Sequence, residues 1–133
     1  MATAPFSGIG RIVLLVENLD EALAFYRDVL GFTVLYDDTV DGYRYLHIGV
    51  PGQDGVGLWL MPAGSERERV LVGRQSGDQP LLVLYTADLD AAGARLREHG
   101  VRVWAESEEP GSRSLHCADL YGNVLVVAQL TPA

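Results

Sequence analysis

The sequence predicts an α+β domain built from two tandem βαβββ modules. Three observations predict it. The order of apolar runs and helical periodicities, strand–helix–strand–strand–strand, occurs twice along the 133 residues. The tetrad Arg-x-Leu-His stands at "RYLH" (44–47) and again 69 residues later at "RSLH" (113–116). A Leu-Asp helix start and a glycine helix stop also recur: Leu19-Asp20 with Leu89-Asp90 at an offset of 70, and Gly31 with Gly100 at 69. Several landmarks at nearly one spacing mark an internal repeat, which has to be read before any site.

The elements follow in order. "RIVLLV" (11–16) is a β-branched and leucine run, readable as a buried strand. Asn18 followed three residues later by Glu21 is a capping-box pattern. Ala22, Leu23, Phe25, Tyr26, Val29 and Leu30 then recur at helical spacing, and Gly31 stands where a helix terminates, so a helix is expected over 20–30. "FTVLYDD" (32–38), "GYRYLHIGV" (42–50) and "VGLWLMP" (56–62) read as strands, the last two separated by the turn "PGQDG". The polar, glycine-containing stretch 63–79 reads as a linker with a short helical turn. The second half repeats the order. "PLLVLYT" (80–86) is a strand, Asp88 caps a helix over 89–99, and Gly100 ends it. "VRVWAES", "SRSLHCAD" and "VLVVAQL" are the remaining strands, with "LYGN" a turn before the last.

Length and composition suit one compact domain, residues 1–133, with modules at 10–62 and 80–130. Hydrophobic residues make up 48% and charged residues 21%, a globular balance. No segment approaches the roughly 20 apolar residues of a membrane span. "MATAPFSG" lacks the basic and apolar regions of a secretion signal, and one cysteine, Cys117, excludes an intramolecular disulfide. A cytoplasmic protein is the simplest reading. The net charge of −8 argues against nucleic acid and anionic membrane surfaces as partners. It suits attraction of a cationic ligand, and equally plain solubility.

Three stretches carry a family resemblance. "VENLDEALAFYRDVLGF" (16–32) resembles the first-helix signature F-Y-x-x-x-L-G-F of the vicinal oxygen chelate superfamily, the glyoxalase / bleomycin-resistance / dioxygenase fold. "DLDAAGARLREHGV" (88–101) resembles its second helix, and "DLYGNVLVV" (119–127) its D-P-x-G-N-x-x-E-L motif. The resemblance covers about residues 10–130. It implies a curled eight-stranded mixed sheet around a cavity, with helices outside, and homodimerisation, in some members with each cavity shared between chains.

Metal-dependent members of that superfamily carry His, Gln or Glu at four strand positions, where a divalent ion polarises a substrate with two adjacent oxygens. Here the resemblance places those positions on Arg11, near Trp59, and on Leu81 and Val126. Arg11 cannot shed its proton, and Trp, Leu and Val offer no donor atom. No metal and no other cofactor is therefore expected.

Alternation along the strands predicts what lines the cavity instead. Leu46, Ile48, Leu115 and Cys117 are the better helix-packing sets, which turns Tyr43, Tyr45 and His47, and Ser112, Ser114 and His116, inward. The resemblance agrees for His116, because dioxygenase-like members place a polar residue ten positions before the last-strand Glu. The expected ligand-binding set is Arg11, Tyr43, Tyr45, His47, Trp59, Met61, Tyr85, Ser114 and His116, with Trp104 at the rim. Apolar walls with a few polar groups suit an organic small molecule. Aromatic rings offer stacking faces and attract cations. Arg11 calls either for a ligand carboxylate or phosphate or for a protein carboxylate. His47 and His116 are either an acid/base pair or hydrogen-bonded strand histidines. The leading functional reading is a metal-independent small-molecule-binding protein that sequesters an aromatic or cationic natural product, as in antibiotic resistance. The alternatives are a metal-free lyase, isomerase or cyclase acting through His47, His116 or a tyrosine, and a metal-dependent glyoxalase or dioxygenase.

Overall fold

The computed structural model describes residues 4–131. The first three residues of the N-terminal stretch read above, and the last two of the chain, lie outside them. The first module comprises β1 (Arg11–Val16), α1 (Leu19–Ala24), β2 (Thr33–Val40), β3 (Tyr43–Gly49) and β4 (Gly57–Pro62). A four-residue helix, α2 (Glu66–Arg69), lies in the connection. The second module comprises β5 (Leu82–Tyr85), α3 (Leu89–Glu98), β6 (Val103–Glu109), β7 (Ser112–Ala118) and β8 (Val124–Leu130). The order is βαβββ twice, as the repeat predicts.

Local chemistry sets the helix ends. Asn18 caps α1 through its side-chain oxygen, which accepts from the Glu21 amide at 2.8 Å. The other half of the capping box is not made. The Tyr121 hydroxyl, from the second module, instead accepts from the Asn18 amide (3.2 Å) and donates to the Glu21 carboxylate (2.9 Å). The periodic stretch read as one helix is α-helical only to Ala24 and ends in a wider π-helical turn, Phe25–Val29. Gly31, at φ +79°, then turns the chain so that the Phe32 amide donates to the Tyr26 carbonyl at 2.8 Å. Helix α3 has the same design: Asp88 caps it, and Gly100 at φ +73° lets the Val101 amide donate to the Leu96 carbonyl.

The eight strands form two mixed four-stranded sheets, ordered β1-β4-β3-β2 and β5-β8-β7-β6. In each, the first and last strands of the module pair in parallel and the rest antiparallel. The helix-facing side of the first sheet supplies Leu14, Val16, Leu46, Ile48, Leu58 and Leu60, which pack with Ala22, Leu23, Tyr26 and Phe32. The second core joins Leu115, Cys117, Leu125 and Val127 to Leu89 and Leu96 of α3. Burying side chains of this size contributes roughly 1.5–3 kcal/mol each. Leu30, Leu81 and Leu82 pack against both cores and so weld the modules together.

Polar contacts fix the relation of the modules. The fully buried Tyr26 donates its hydroxyl to Asp119 at 2.8 Å, and Arg95 of α3 donates to the Val29 and Asp28 carbonyls at the end of the first helix. Burial, followed by the Asp119 charge, pushes the Tyr26 hydroxyl well above its ordinary value. Gln75, in the connection, lies along the free edge of β1. Its side-chain amide accepts from the Leu15 amide (2.9 Å) and donates to the Val13 carbonyl (2.7 Å), as a neighbouring strand would.

Candidate functional site

The parity read from the tetrads decides where the candidate side chains stand. Leu46 and Leu115 are buried against the helices, so His47 and His116 belong to the opposite, inner faces of their sheets. Register shows the two histidines to be equivalent in the fold. His47 lies opposite Trp59 on β4, and His116 lies opposite Val126 on β8. Val13 is in turn aligned with Trp59, and Val83 with Val126.

The inner face of the first sheet gathers most of the candidates. Arg11 Nε donates to His47 Nδ1 at 3.0 Å, reaching across β4 past Gly57, its register partner, which has no side chain. Arg11 Nη1 donates to the Gly10 carbonyl at 2.7 Å. An arginine can only donate, so Nδ1 of His47 is the accepting nitrogen and the neutral ring carries its proton on Nε2. Burial lowers the pKa of His47, and the adjacent guanidinium lowers it further. The His47 and Trp59 rings are 5.1 Å apart, Trp59 and Tyr45 5.8 Å, and Tyr45 and Tyr43 4.8 Å. His47 Nε2 and Trp59 Nε1 are both buried without a hydrogen-bond partner. Met61 continues the same face one pleat beyond Trp59, aligned with Leu15.

The inner face of the second sheet is simpler. Trp104 lies opposite His116, rings 5.9 Å apart, and the guanidinium of Arg102 covers the Trp104 ring at 4.3 Å. Ser114 Oγ is 3.1 Å from Ser107 Oγ. Val126 and Ala128 occupy the middle of this face, Tyr85 stands on edge strand β5, and His116 Nδ1 is buried without a partner. Cys117, on the helix side, has a pKa pushed up to about 11 by burial and by Asp119, which leaves it a protonated, unreactive thiol near neutrality. The candidates therefore form two groups, one per module, with Met61 and Tyr85 outside the ring contacts.

Two residues of this face escape simple alternation. A bulge in β2 between Val34 and Tyr36 places Tyr36 opposite His47, with ring centroids 5.5 Å apart. Leu35, the extra residue, lies over Gly49 and Gly57: a Cβ on either glycine would come within 2.8 and 2.6 Å of its Cδ1. The paired strand glycines were the available signal, because a glycine inside a strand marks close approach. A matching bulge between Trp104 and Ser107, with Ala105 at φ +54°, brings Ser107 opposite Ser114. The pairs Tyr36–His47 and Trp104–His116 are thus repeats of one aromatic–histidine motif.

The resemblance places the family's ligand positions on Arg11, near Trp59, and on Leu81 and Val126, and no three His, Cys, Asp or Glu side chains cluster to hold an ion among the described residues. Both inner faces are open in a single chain. Tyr85 is 72% exposed, Val83 56%, Tyr43 38% and Val13 37%. Two grooves lie at the seam between the modules. One is lined by Val29, Leu30, Pro51, Leu84, Arg95 and Leu96, and the other by Ile12, Phe32, Val56, Leu58, Leu82 and Val83. The candidate aromatics line neither, apart from Tyr85 in the first. No helix among the described residues is long and apolar enough to cross a membrane.

Comparison with known proteins adds the following. The profile of the Glyoxalase/Bleomycin resistance protein/Dioxygenase superfamily matches residues 8–127. An uncharacterized protein of Shewanella frigidimarina (strain NCIMB 400) is 30% identical over 125 residues, which is 92% of this chain and 93% of that one. Among solved structures, TnmS3, an antibiotic binding protein from Streptomyces sp. CB03234, superposes with a TM-score of 0.80 at 28% identity, covering 97% of this chain and all of that one. UcmS2 superposes with a TM-score of 0.81 at 26% identity, covering 92% and 98%.

Proposed function

The chain belongs to the Glyoxalase/Bleomycin resistance protein/Dioxygenase superfamily, and we propose that it binds and sequesters an aromatic organic small molecule on the inner faces of its sheets, without a metal ion. One observation carries this reading. The inner face of the first sheet holds Arg11 bonded to His47, and Trp59 packed between Tyr45 and His47, an aromatic surface studded with hydrogen-bond donors. Such a surface stacks and orients a planar ligand but supplies no Lewis acid. The likeness to an antibiotic binding protein supports binding rather than turnover. His47 points the same way, because Arg11 already occupies the nitrogen that would accept a proton.

The partner of this binding is a second copy of the chain. The exposed Val13, Val83 and Tyr85 on the open inner faces support a homodimer in which two sheets enclose each ligand. A cytoplasmic setting suits the lone, buried, reduced cysteine. The test is calorimetry and Trp59/Trp104 fluorescence quenching against a panel of aromatic natural products, antibiotics included, with sedimentation velocity for the dimer. The expected result is saturable binding by a dimer and recovery of the ligand unchanged. Recovery of a chemically altered product would replace sequestration by catalysis.

A further inference from the structure

We infer that the ligand presents an anionic group, a carboxylate or its equivalent, to Arg11, so that the first sheet selects planar aromatic acids over aromatic cations. The inference rests on the small-molecule-binding reading above and names the ligand's charge. All ten basic residues of the chain are arginines, and in five of them, Arg27, Arg44, Arg69, Arg97 and Arg113, the guanidinium is paired with a carboxylate. Arg95 is held by backbone carbonyls, Arg102 lies over Trp104, and Arg67 and Arg74 are exposed to solvent. Arg11 differs from all of these. It is half-buried on an aromatic face, its partners are a neutral imidazole and one backbone carbonyl, and no carboxylate pairs with it among the described residues. A half-buried charge without a counter-charge is unfavourable and is relieved by an anion that fits the guanidinium fork.

The neighbouring polar atoms favour the same ligand. The Arg11 bond makes His47 Nε2 a donor, and the Trp59 indole nitrogen can only donate; both are buried and unpartnered. Around Arg11 the face therefore offers donors. The nearest carboxylate in register on this inner face, Asp38, lies opposite Tyr45 on the far strand and accepts from the Tyr36 hydroxyl at 3.4 Å, while Asp37 is on the helix side and pairs with Arg44. The equivalent face of the second sheet carries no carboxylate at its centre. Its centre is Val83, Val126 and Ala128, flanked by Ser114 and His116, and its carboxylate, Glu109, stands at the hairpin end opposite Ser112. The overall charge of −8 opposes this preference at long range, so the selection has to be local to Arg11.

The experiment uses three probes of one shape and different charge: 2-naphthoate, 2-naphthamide and 2-naphthylmethylammonium. Calorimetry on the whole protein should show 2-naphthoate binding about tenfold or more tighter than the ammonium probe. Arg11→Gln, which keeps a donor for His47 and removes the charge, should erase that preference, bringing 2-naphthoate and the ammonium probe within about threefold of each other. Arg11→Lys, keeping the charge, should retain part of it. Circular dichroism of each variant confirms that the fold is intact. Equal binding of all three probes, or tighter binding of the ammonium probe, overturns the anion assignment and leaves the small-molecule reading standing. Failure of all three probes at millimolar concentration overturns the assignment, and the natural-product panel then decides the reading itself.

Discussion

Tyr26→Phe removes a single hydroxyl at the point where the two modules meet, and its cost can be worked from the surroundings. The ring is fully buried, and its hydroxyl donates to Asp119 Oδ2 at 2.8 Å. Asp119 is 5% exposed and has three further donors, all at 2.9 Å: the amides of Tyr121 and Asn123 on Oδ1 and the Asn123 side chain on Oδ2. Losing a hydrogen bond to a charged group costs about 1.5–3 kcal/mol, and the three remaining donors hold the loss near the lower figure, about 1.5–2 kcal/mol. Phenylalanine keeps the ring and its edge contacts with Phe25 (5.4 Å) and Phe32 (5.3 Å), so no cavity adds to this. Asp119→Ala strands all four donors and should cost about 3–5 kcal/mol. Urea unfolding should show a lower midpoint with an unchanged slope. The sign of the pH dependence follows from the raised Tyr26 pKa: this stabilisation is full below pH 10 and is lost as pH rises through the folded value, whereas Tyr26→Phe lacks that loss. A Tyr26→Phe protein within about 0.5 kcal/mol of wild type, or an Asp119→Ala protein milder than it, would refute the reasoning.

Two further expectations concern the inner face. Gly57→Ala places a Cβ 2.4 Å from the Ile48 carbonyl oxygen and 2.6 Å from Leu35 Cδ1. The backbone atom cannot yield as a side chain can, so a loss of about 2 kcal/mol or more is expected in urea unfolding; a neutral result would mean that the strands separate freely there. His47 should titrate below 6.5 by NMR, because burial and then the Arg11 charge disfavour its protonated form. Its stabilisation is present above 6.5 and is lost as pH falls through the folded value. Arg11→Met should move that titration upward, and an unmoved titration would show that the guanidinium is not its neighbour in solution.

The fold was legible because its signals are local and repeated. Capping residues, helix-stop glycines and β-branched runs recur near one offset, and each acts through its own few bonds. The faces of β3 and β7 were legible for the same reason: Leu46, Ile48, Leu115 and Cys117 are buried as a two-residue period requires. Tyr36 was not, because one extra residue in β2 reverses the count beyond Leu35, and only pairing with β3 reveals it. Nor was the second half of the capping box, whose acceptor and donor is a tyrosine hydroxyl 103 residues from Asn18. The choice left open for Arg11, a ligand anion or a protein carboxylate, was likewise a question of which side chains arrive from other strands. The side chain that reaches its guanidinium is His47, which is not acidic.

By itself the sequence determined the repeat, the βαβββ order and the side of each central strand that meets a helix. These depend on backbone sterics and side-chain chemistry that each residue carries with it. Only the tertiary structure decided that Arg11 crosses β4 to reach His47, that Leu35 fills the hollow over Gly49 and Gly57, and that the two inner faces stand open in one chain. Those outcomes depend on strand register and on how two cores share Leu30, Leu81 and Leu82, and register is set by long-range pairing in which a one-residue bulge outweighs any local preference.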